Sequence, residues 1–454
     1  MSQALAVFKR INLKGDAIAS VATFFAQSVV KFGSSLILTR VLQPDAYGVV
    51  SILMSVTFTL AMLSDLGTHV GVTRSPEGDS PPYLNTAWTM RLVRCLINAG
   101  LIYLLAPLCA AFYGMPVLKE PLKWLALWFL VDGFESNAYL LAARRKNTRI
   151  VVYSDLVANV IGTVASIAYS LVSRDFWGMV FGIMVTRVVY VLLSYAFYRD
   201  MLPRLQFDKA VARDIFQFTR VVMPSSILTL MLDQFDKVIF LKFFDLRMLG
   251  LYGLAGNLAG QAEALAIKVS QMVIYPRCAH DFRLERDRFA IRFYTENVRV
   301  FAVMGALVGA LGGAANLLIF LLYDLRYSVA AGILQIITVR SVLVLFSAPA
   351  ENLLVAAGEL GVLVVGNVLR VIFIVVGAWV GFHIAGFDGF IGGMALSGLP
   401  TVMYYFWRQH RIQALALRYE LYKLLYVGGV ALGVFLFCNW FQGMFHVSRL
   451  HFHL

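Results

Sequence analysis

"LLAARRKNTRIVVYSDLVANVIGTVASIAYSLVSRDFWGM" (140–179) lies without a gap on "LVAAGELGVLVVGNVLRVIFIVVGAWVGFHIAGFDGFIGG" (354–393). Ala142 and Ala143 fall on Ala356 and Ala357, and Phe176 and Gly178 fall on Phe390 and Gly392. Upstream, "LILTRVLQPDAYGVVSIL" (36–53) matches "VIFLKFFDLRMLGLYGLAGNL" (238–258) once three residues are inserted. The two similarities occur in the same order in both halves, so the chain reads as one unit built twice.

Composition says what is repeated. Of 454 residues, 60% are hydrophobic and only 14% charged, with a mean hydropathy of +0.75. A soluble domain needs more polar residues than that to cover its surface. Apolar windows of about 20 residues, the length of a bilayer-crossing helix, recur from end to end. The fold class is an all-α polytopic membrane protein, since apolar runs this long and continuous exclude barrel strands.

Spans are expected near 16–40, 46–73, 92–113, 121–143, 150–173 and 177–198, then near 217–243, 247–276, 297–323, 327–357, 360–383 and 386–407. A further apolar segment runs from 421 to 443, and the spacing leaves open whether it crosses the membrane. The domain scheme is a six-helix lobe (1–199), an amphipathic cytoplasmic linker (200–216), a second six-helix lobe (217–407) and a cytoplasmic loop with the extra segment (408–454). Six spans per half is an even number, so both halves enter the membrane from the same side. Such parallel repeats suit a transporter whose two lobes rock about a V-shaped central cavity.

Lys9, Arg10 and Lys14, Arg74, Arg91 and Arg94, the run "RRKNTR" (144–149), the linker bases and the stretch from Arg408 to Lys423 all fall on one side. That side holds roughly 25 of the 39 Lys and Arg, against roughly 8 opposite, which puts the N-terminus in the cytoplasm. The net charge of +13 is therefore a topology signal and gives no support to nucleic-acid binding. Cys95, Cys109, Cys278 and Cys438 have no metal-ligand spacing and read as packing residues. The first apolar run has no small-residue cleavage site and reads as a retained span. The terminal "LHFHL" lacks further metal ligands, and no Gly-rich Lys–Ser/Thr loop for ATP appears.

At about 100° per residue, Asp16, Ser20, Thr23, Gln27, Lys31 and Ser34 share an arc of about 80° on span one. On span eight, Asn257, Gln261, Lys268 and Gln271 share a similar arc of about 80°, with Glu263 elsewhere. Arg340, Ser347 and Glu351 lie together on span ten, where Pro349 is expected to kink the helix. Arg187, Tyr190 and Ser194 do the same on span six, and Arg370 sits inside span eleven. A charge facing lipid costs several kcal/mol, so these residues should face protein or a wet cavity. Four to six polar positions in register favour a cavity for the Lys31 and Lys268 stripes. For Asp233 and Lys237, four apart, both a mutual ion pair and a functional role stand. Asp65, Asp132, Glu135 and Glu263 read as partners of nearby bases.

Several motifs resemble one family. "LILTRVLQPDAYG" (36–48) is similar to the turn after the first span of bacterial polysaccharide flippases, and "LSDLGTHVGVTR" (63–74) to the end of their second span. "DKVIFLKFFDLRMLGLYGLA" (236–255) and "FHIAGFDGFIGGMALS" (382–397) resemble their seventh span and the Gly-rich turn before the twelfth. The resemblance covers roughly residues 10–410 and points to Wzx-like polysaccharide transporters of the multidrug/oligosaccharidyl-lipid/polysaccharide (MOP) exporter superfamily, with a MATE-like two-bundle fold.

It implies a substrate: an oligosaccharide on a polyprenyl diphosphate, moved from the inner to the outer leaflet of the bacterial cytoplasmic membrane for surface polysaccharide synthesis. Polymerase and chain-length regulator are the partner proteins so implied. A hydrated, polyanionic headgroup cannot cross hydrocarbon unaided. Lys31, Lys268, Arg187, Arg340 and Arg370, in that order, are the candidates for the diphosphate. Gln27, Asn257, Gln261 and Gln271 are the candidates for sugar hydroxyls. Motif residues, Asp236 among them, are expected to shape turns. Asp65, Asp233, Asp236, Lys237 and Glu263 are candidates for coupling-ion or structural charge, the ion being H⁺ or Na⁺; no other cofactor is expected. The rivals are a multidrug or lipid II transporter of the same superfamily and a non-transporting subunit of a polysaccharide synthase. An enzyme on the same lipid ranks lower, because every outside loop is short.

Overall fold

The computed structural model describes residues 23, 26–145, 147–196, 202–217, 219, 223, 227–228, 230–232, 234, 244–284 and 289–444. The chain divides into two compact units, Met1–Leu230 and Met231–Leu454. That division falls inside the expected seventh span rather than at residue 217, and much of 218–243, Asp233, Asp236 and Lys237 included, lies outside the described residues. Every regular element among the described residues is helical.

Unit 1 contains α1 (26–41), α2 (Pro44–Leu63), α3 (Thr68–Arg74), α4 (Pro81–Phe112), α5 (Lys119–Gly133), α6 (Ala138–Arg144), α7 (Thr148–Ser173), α8 (Trp177–Ala196) and α9 (209–217). The third span starts at Pro81 rather than at residue 92. Ser80 caps it through the Tyr83 N–H at 3.4 Å, and proline occupies the first helical turn. Arg91 and Arg94 are consequently helical, not loop residues.

The second and fourth spans are each interrupted. Between α2 and α3, Gly67 takes a left-handed φ of +58°, and the Asp65 carboxylate accepts its N–H at 3.1 Å. Between α5 and α6, residues 134–137 leave the helix in the interior of the bundle, where freed backbone groups need partners. The Glu135 carbonyl accepts from Trp88 Nε1 at 3.1 Å, the Ser136 N–H donates to Ser194 Oγ at 2.9 Å, and Tyr195 caps the Phe134 carbonyl. Both breaks carry an acid.

The linker is docked on α4. Residues 202–208 are extended, and helix begins only at 209. The backbone N–H groups of Arg204, Gln206 and Asp208 donate, each at 3.1 Å, to Asn85 Oδ1, Thr89 Oγ1 and Thr86 Oγ1 on α4. Asp208 then caps α9 through the Ala210 N–H at 2.7 Å, and Ile215 is fully buried against Val72, Tyr83 and Leu141.

Unit 2 contains α10 (Leu246–Val269), a π-helical turn (Ser270–Ile274), α11 (Tyr275–Leu284), α12 (Phe289–Gly313), α13 (Ala315–Leu322), α14 (Ala330–Ala356), α15 (Gly361–Leu396), α16 (Leu399–Arg411) and α17 (Leu417–Met444). Asp245 starts α10 by accepting the Met248 N–H at 2.8 Å. α12 and α13 meet at 66°, bending the expected ninth span, while α14 runs on through Pro349. α15 breaks at Ala385 and Gly386, and its two arms pack so closely that a Cβ on Gly381 would overlap the Gly389 carbonyl.

The extra segment is a full helix of unit 2. α17 packs along α12, where a Cβ on Gly309 would come within 2.8 Å of the Val427 carbonyl. Among the described residues, seven helices are long and apolar enough to cross a membrane, and the bent α12–α13 pair makes an eighth.

Candidate functional site

The charges of unit 1 are largely used on each other. Glu135, in the α5–α6 break, receives Arg91 of α4 at 2.7 Å and Arg187 of α8 at 2.5 Å. Asp132, at the end of α5, also pairs with both arginines. The rings of Trp128 and Tyr190 lie 5.4 and 5.1 Å from the Arg187 guanidinium. Two bases and two acids cancel within a buried cluster, as desolvated charges must. Arg187 is thus committed to Asp132 and Glu135, and a diphosphate could reach it only by displacing them.

A second polar group joins α1 to α7. Gln27 Nε2 donates to the Asp155 carboxylate, which also accepts from Asn159 Nδ2 at 2.9 Å. No Lys or Arg among the described residues lies within ion-pair distance of Asp155. One helical turn beyond Gln27, Lys31 is exposed, and no carboxylate among the described residues lies within ion-pair distance of its ammonium. Asp155 was missed in the sequence because span five was read for its repeat. The available signal was a lone acid inside an apolar run, four residues before an asparagine.

In unit 2 the α10 stripe occupies the face its own bundle leaves unpacked. Ala255, Ala259, Ala262 and Ala266 are buried along one side, whereas Asn257 is exposed and Gln261 and Lys268 are half-buried on the other. The π turn follows directly after Lys268 and Val269, so Gln271, although exposed, leaves the regular α-helical register assumed for the stripe. Glu263 points away from the stripe and accepts from Arg340 Nε at 3.0 Å and Ser341 Oγ at 2.9 Å. Arg340 is therefore an ion-pair partner too. Arg370 acts on Glu351, whose carboxylate accepts from Tyr405 at 3.2 Å. Asp65 is occupied by Arg94 at 3.3 Å besides its turn.

Of the five candidate cations, Arg187 and Arg340 are thus ion-paired with acids of their own unit. No group of three or more metal-ligating side chains exists among the described residues.

Comparison with known proteins gives this arrangement a setting. A family described as polysaccharide biosynthesis protein matches residues 37–328. Succinoglycan biosynthesis transport protein ExoT of Rhizobium meliloti is 23% identical over 247 residues, 54% of this chain and 50% of that protein, so the chain's match spans about half the length of this curated relative. The inward-facing structure of a multidrug resistance MATE transporter of the MOP superfamily superposes with a TM-score of 0.68 at 15% identity, over 88% of this chain and 98% of the other. The lipid II flippase MurJ, in an inward closed conformation, also gives 0.68, at 10% identity over 94% and 99%. The chain belongs to the polysaccharide biosynthesis protein family and shares its fold with these two transporters.

Proposed function

We propose that the protein flips a polyprenyl-diphosphate-linked oligosaccharide from the inner to the outer leaflet of the bacterial cytoplasmic membrane by alternating access, with its N-terminus cytoplasmic. The observation that carries this reading is Lys31: an exposed ammonium on an apolar helix with no described carboxylate beside it. An intramembrane cation of that kind calls for an anionic ligand or water. Lys31 and Lys268 hold the diphosphate oxygens, and Gln27, Asn257 and Gln261 hydrogen-bond sugar hydroxyls. Arg187, Arg340 and Arg370 keep the units charge-balanced instead. Membership of a polysaccharide biosynthesis family and the transport role named for ExoT support the same substrate class.

Asp155 is the acid on which a coupling proton or Na⁺ acts, because Asp65 and Glu263 already serve as ion-pair partners. Surface polymerase and chain-length regulator would receive the product. The test is leaflet-resolved flipping of a short lipid-linked oligosaccharide in proteoliposomes, together with complementation of a deletion strain. Wild-type activity in a Lys31→Ala, Lys268→Ala double variant would remove the site assignment.

A further inference from the structure

Unit 2 has a buried seam, running from α10 into α11, whose spacing a regular α-helix cannot keep. Ala262, Ala266, Ser270, Ile274 and Cys278 are all buried, each four residues after the last. At 3.6 residues per turn, positions four apart drift by about 40° per step, or about 160° along the five. The π turn Ser270–Ile274 takes that drift back, because i→i+5 bonding winds more residues into one turn. The alanine face of α10 and the start of α11 can then share one side, with Ile274 and Cys278 in the core of Phe293, Tyr294 and Leu353.

A turn of this kind is rare and needs a hold from outside its own helix. Here the hold comes from α14. Asn352 Nδ2 donates at 2.8 Å to Oγ of Ser270, the first residue of the turn, which is only 1% exposed. The neighbouring Glu351 serves a different helix, accepting from Tyr405 of α16. Lys268 stands two residues from both Ala266 and Ser270, which at about 100° per residue puts it on the face opposite the seam. Whatever sets the rotation of the helix at Ser270 therefore sets where position 268 faces.

We infer that Asn352 is a positioning residue for Lys268: by holding Ser270 it fixes the π turn, and with it the rotational setting of the polar stripe on α10. The inference rests on the reading of Lys268 as a diphosphate ligand and adds what aims it. Without the bond the turn relaxes towards regular α-helix, and rotation in either sense carries position 268 towards the packed flanks.

The experiment compares full-length Asn352→Ala, Ser270→Ala and their double variant in nanodiscs and proteoliposomes. Asn352→Ala strands a buried hydroxyl, whereas the double variant leaves none, so the double variant decides the outcome if the single one melts early. Reactivity of a Lys268→Cys thiol towards a charged methanethiosulfonate is read on its own peptide by mass spectrometry. It should fall about threefold or more when either Asn352→Ala or the double variant is added. Flipping of a short lipid-linked oligosaccharide should fall roughly tenfold in Asn352→Ala, as in Lys268→Ala. Combining those two should cost less than about twofold beyond either alone, whereas a merely structural defect would multiply the losses. Unchanged thiol reactivity, or multiplied losses, would overturn the positioning role. A wild type that moves no lipid-linked oligosaccharide would sink the substrate reading, and thiol reactivity would then decide on Asn352 alone.

Discussion

Arg187 of α8 reaches Glu135 at 2.5 Å, and Glu135 stands in the break that divides the fourth span into α5 and α6. The ion pair thus holds together the one place in that span where the helix cannot hold itself. Removing one partner strands a buried charge. Glu135→Ala should lower stability by about 3 kcal/mol or more. Thermal unfolding in detergent, read against Lys31→Ala with its exposed side chain, checks this; equal melting temperatures would contradict it.

Lys31 and Lys268 are expected to act on the substrate. Each single alanine variant should lose roughly tenfold or more in initial flipping rate, the loss of a charge-assisted hydrogen bond to phosphate, and Lys31→Ala, with its exposed side chain, should melt as the wild type does. A matching loss in Arg340→Ala with unchanged stability would show that the diphosphate also recruits a residue now paired with Glu263.

Asp155 accepts from Gln27 and Asn159 without a described cation beside it. Asp155→Asn preserves the size of the side chain and removes the charge. Flipping by this variant in proteoliposomes should no longer respond to an imposed proton or Na⁺ gradient, while the downhill rate persists. A retained response to the gradient would take the coupling role away from Asp155.

The helical membrane class was legible because it depends on long-range pattern. Apolar windows mark the spans. The turn at Asp65 and Gly67 was legible as a motif, but the break within the fourth span was not. The bundle partners that satisfy the backbone of "DGFESN" (132–137) lie far along the chain, at Trp88 and Ser194. The candidate site suffered for the same reason. Helical arithmetic placed Arg187 and Arg340 on polar arcs correctly enough, but an arc cannot say which acid of another helix waits opposite. The π turn after α10 likewise has no signature in "KVSQMVI" (268–274), and it undid the register of Gln271.

The α15 hairpin depends on glycines facing carbonyls. Gly381→Ala and Gly389→Ala should each destabilise unit 2 by about 1–3 kcal/mol, since backbone rather than a flexible side chain must give way. Gly392→Ala, with nothing within 4 Å of the added Cβ, is the matched control and should stay within about 0.5 kcal/mol. Because Ala is the better helix former, a control as damaging as the facing pair would mean that close approach to the carbonyls does not govern these positions.

α17 carries its own anchor. Lys423 pairs with Glu420 at 2.6 Å, and its ammonium lies 4.1 Å from the Phe301 ring centroid and 5.4 Å from those of Tyr294 and Phe346. The rings stand on α12 and α14, so the pair fastens the last helix into unit 2 from inside. Lys423→Met keeps the apolar stem but leaves Glu420 buried and unpaired, and should cost about 3 kcal/mol. Glu420→Gln added to it removes the stranded charge and should recover most of that loss, a coupling that additive effects of two independent sites would not produce. Melting curves of the two single variants and the double variant measure the coupling directly. If the double variant melts no higher than Lys423→Met, the cage rather than the ion pair holds α17, and the glycine seam at Gly309 becomes the contact to break next.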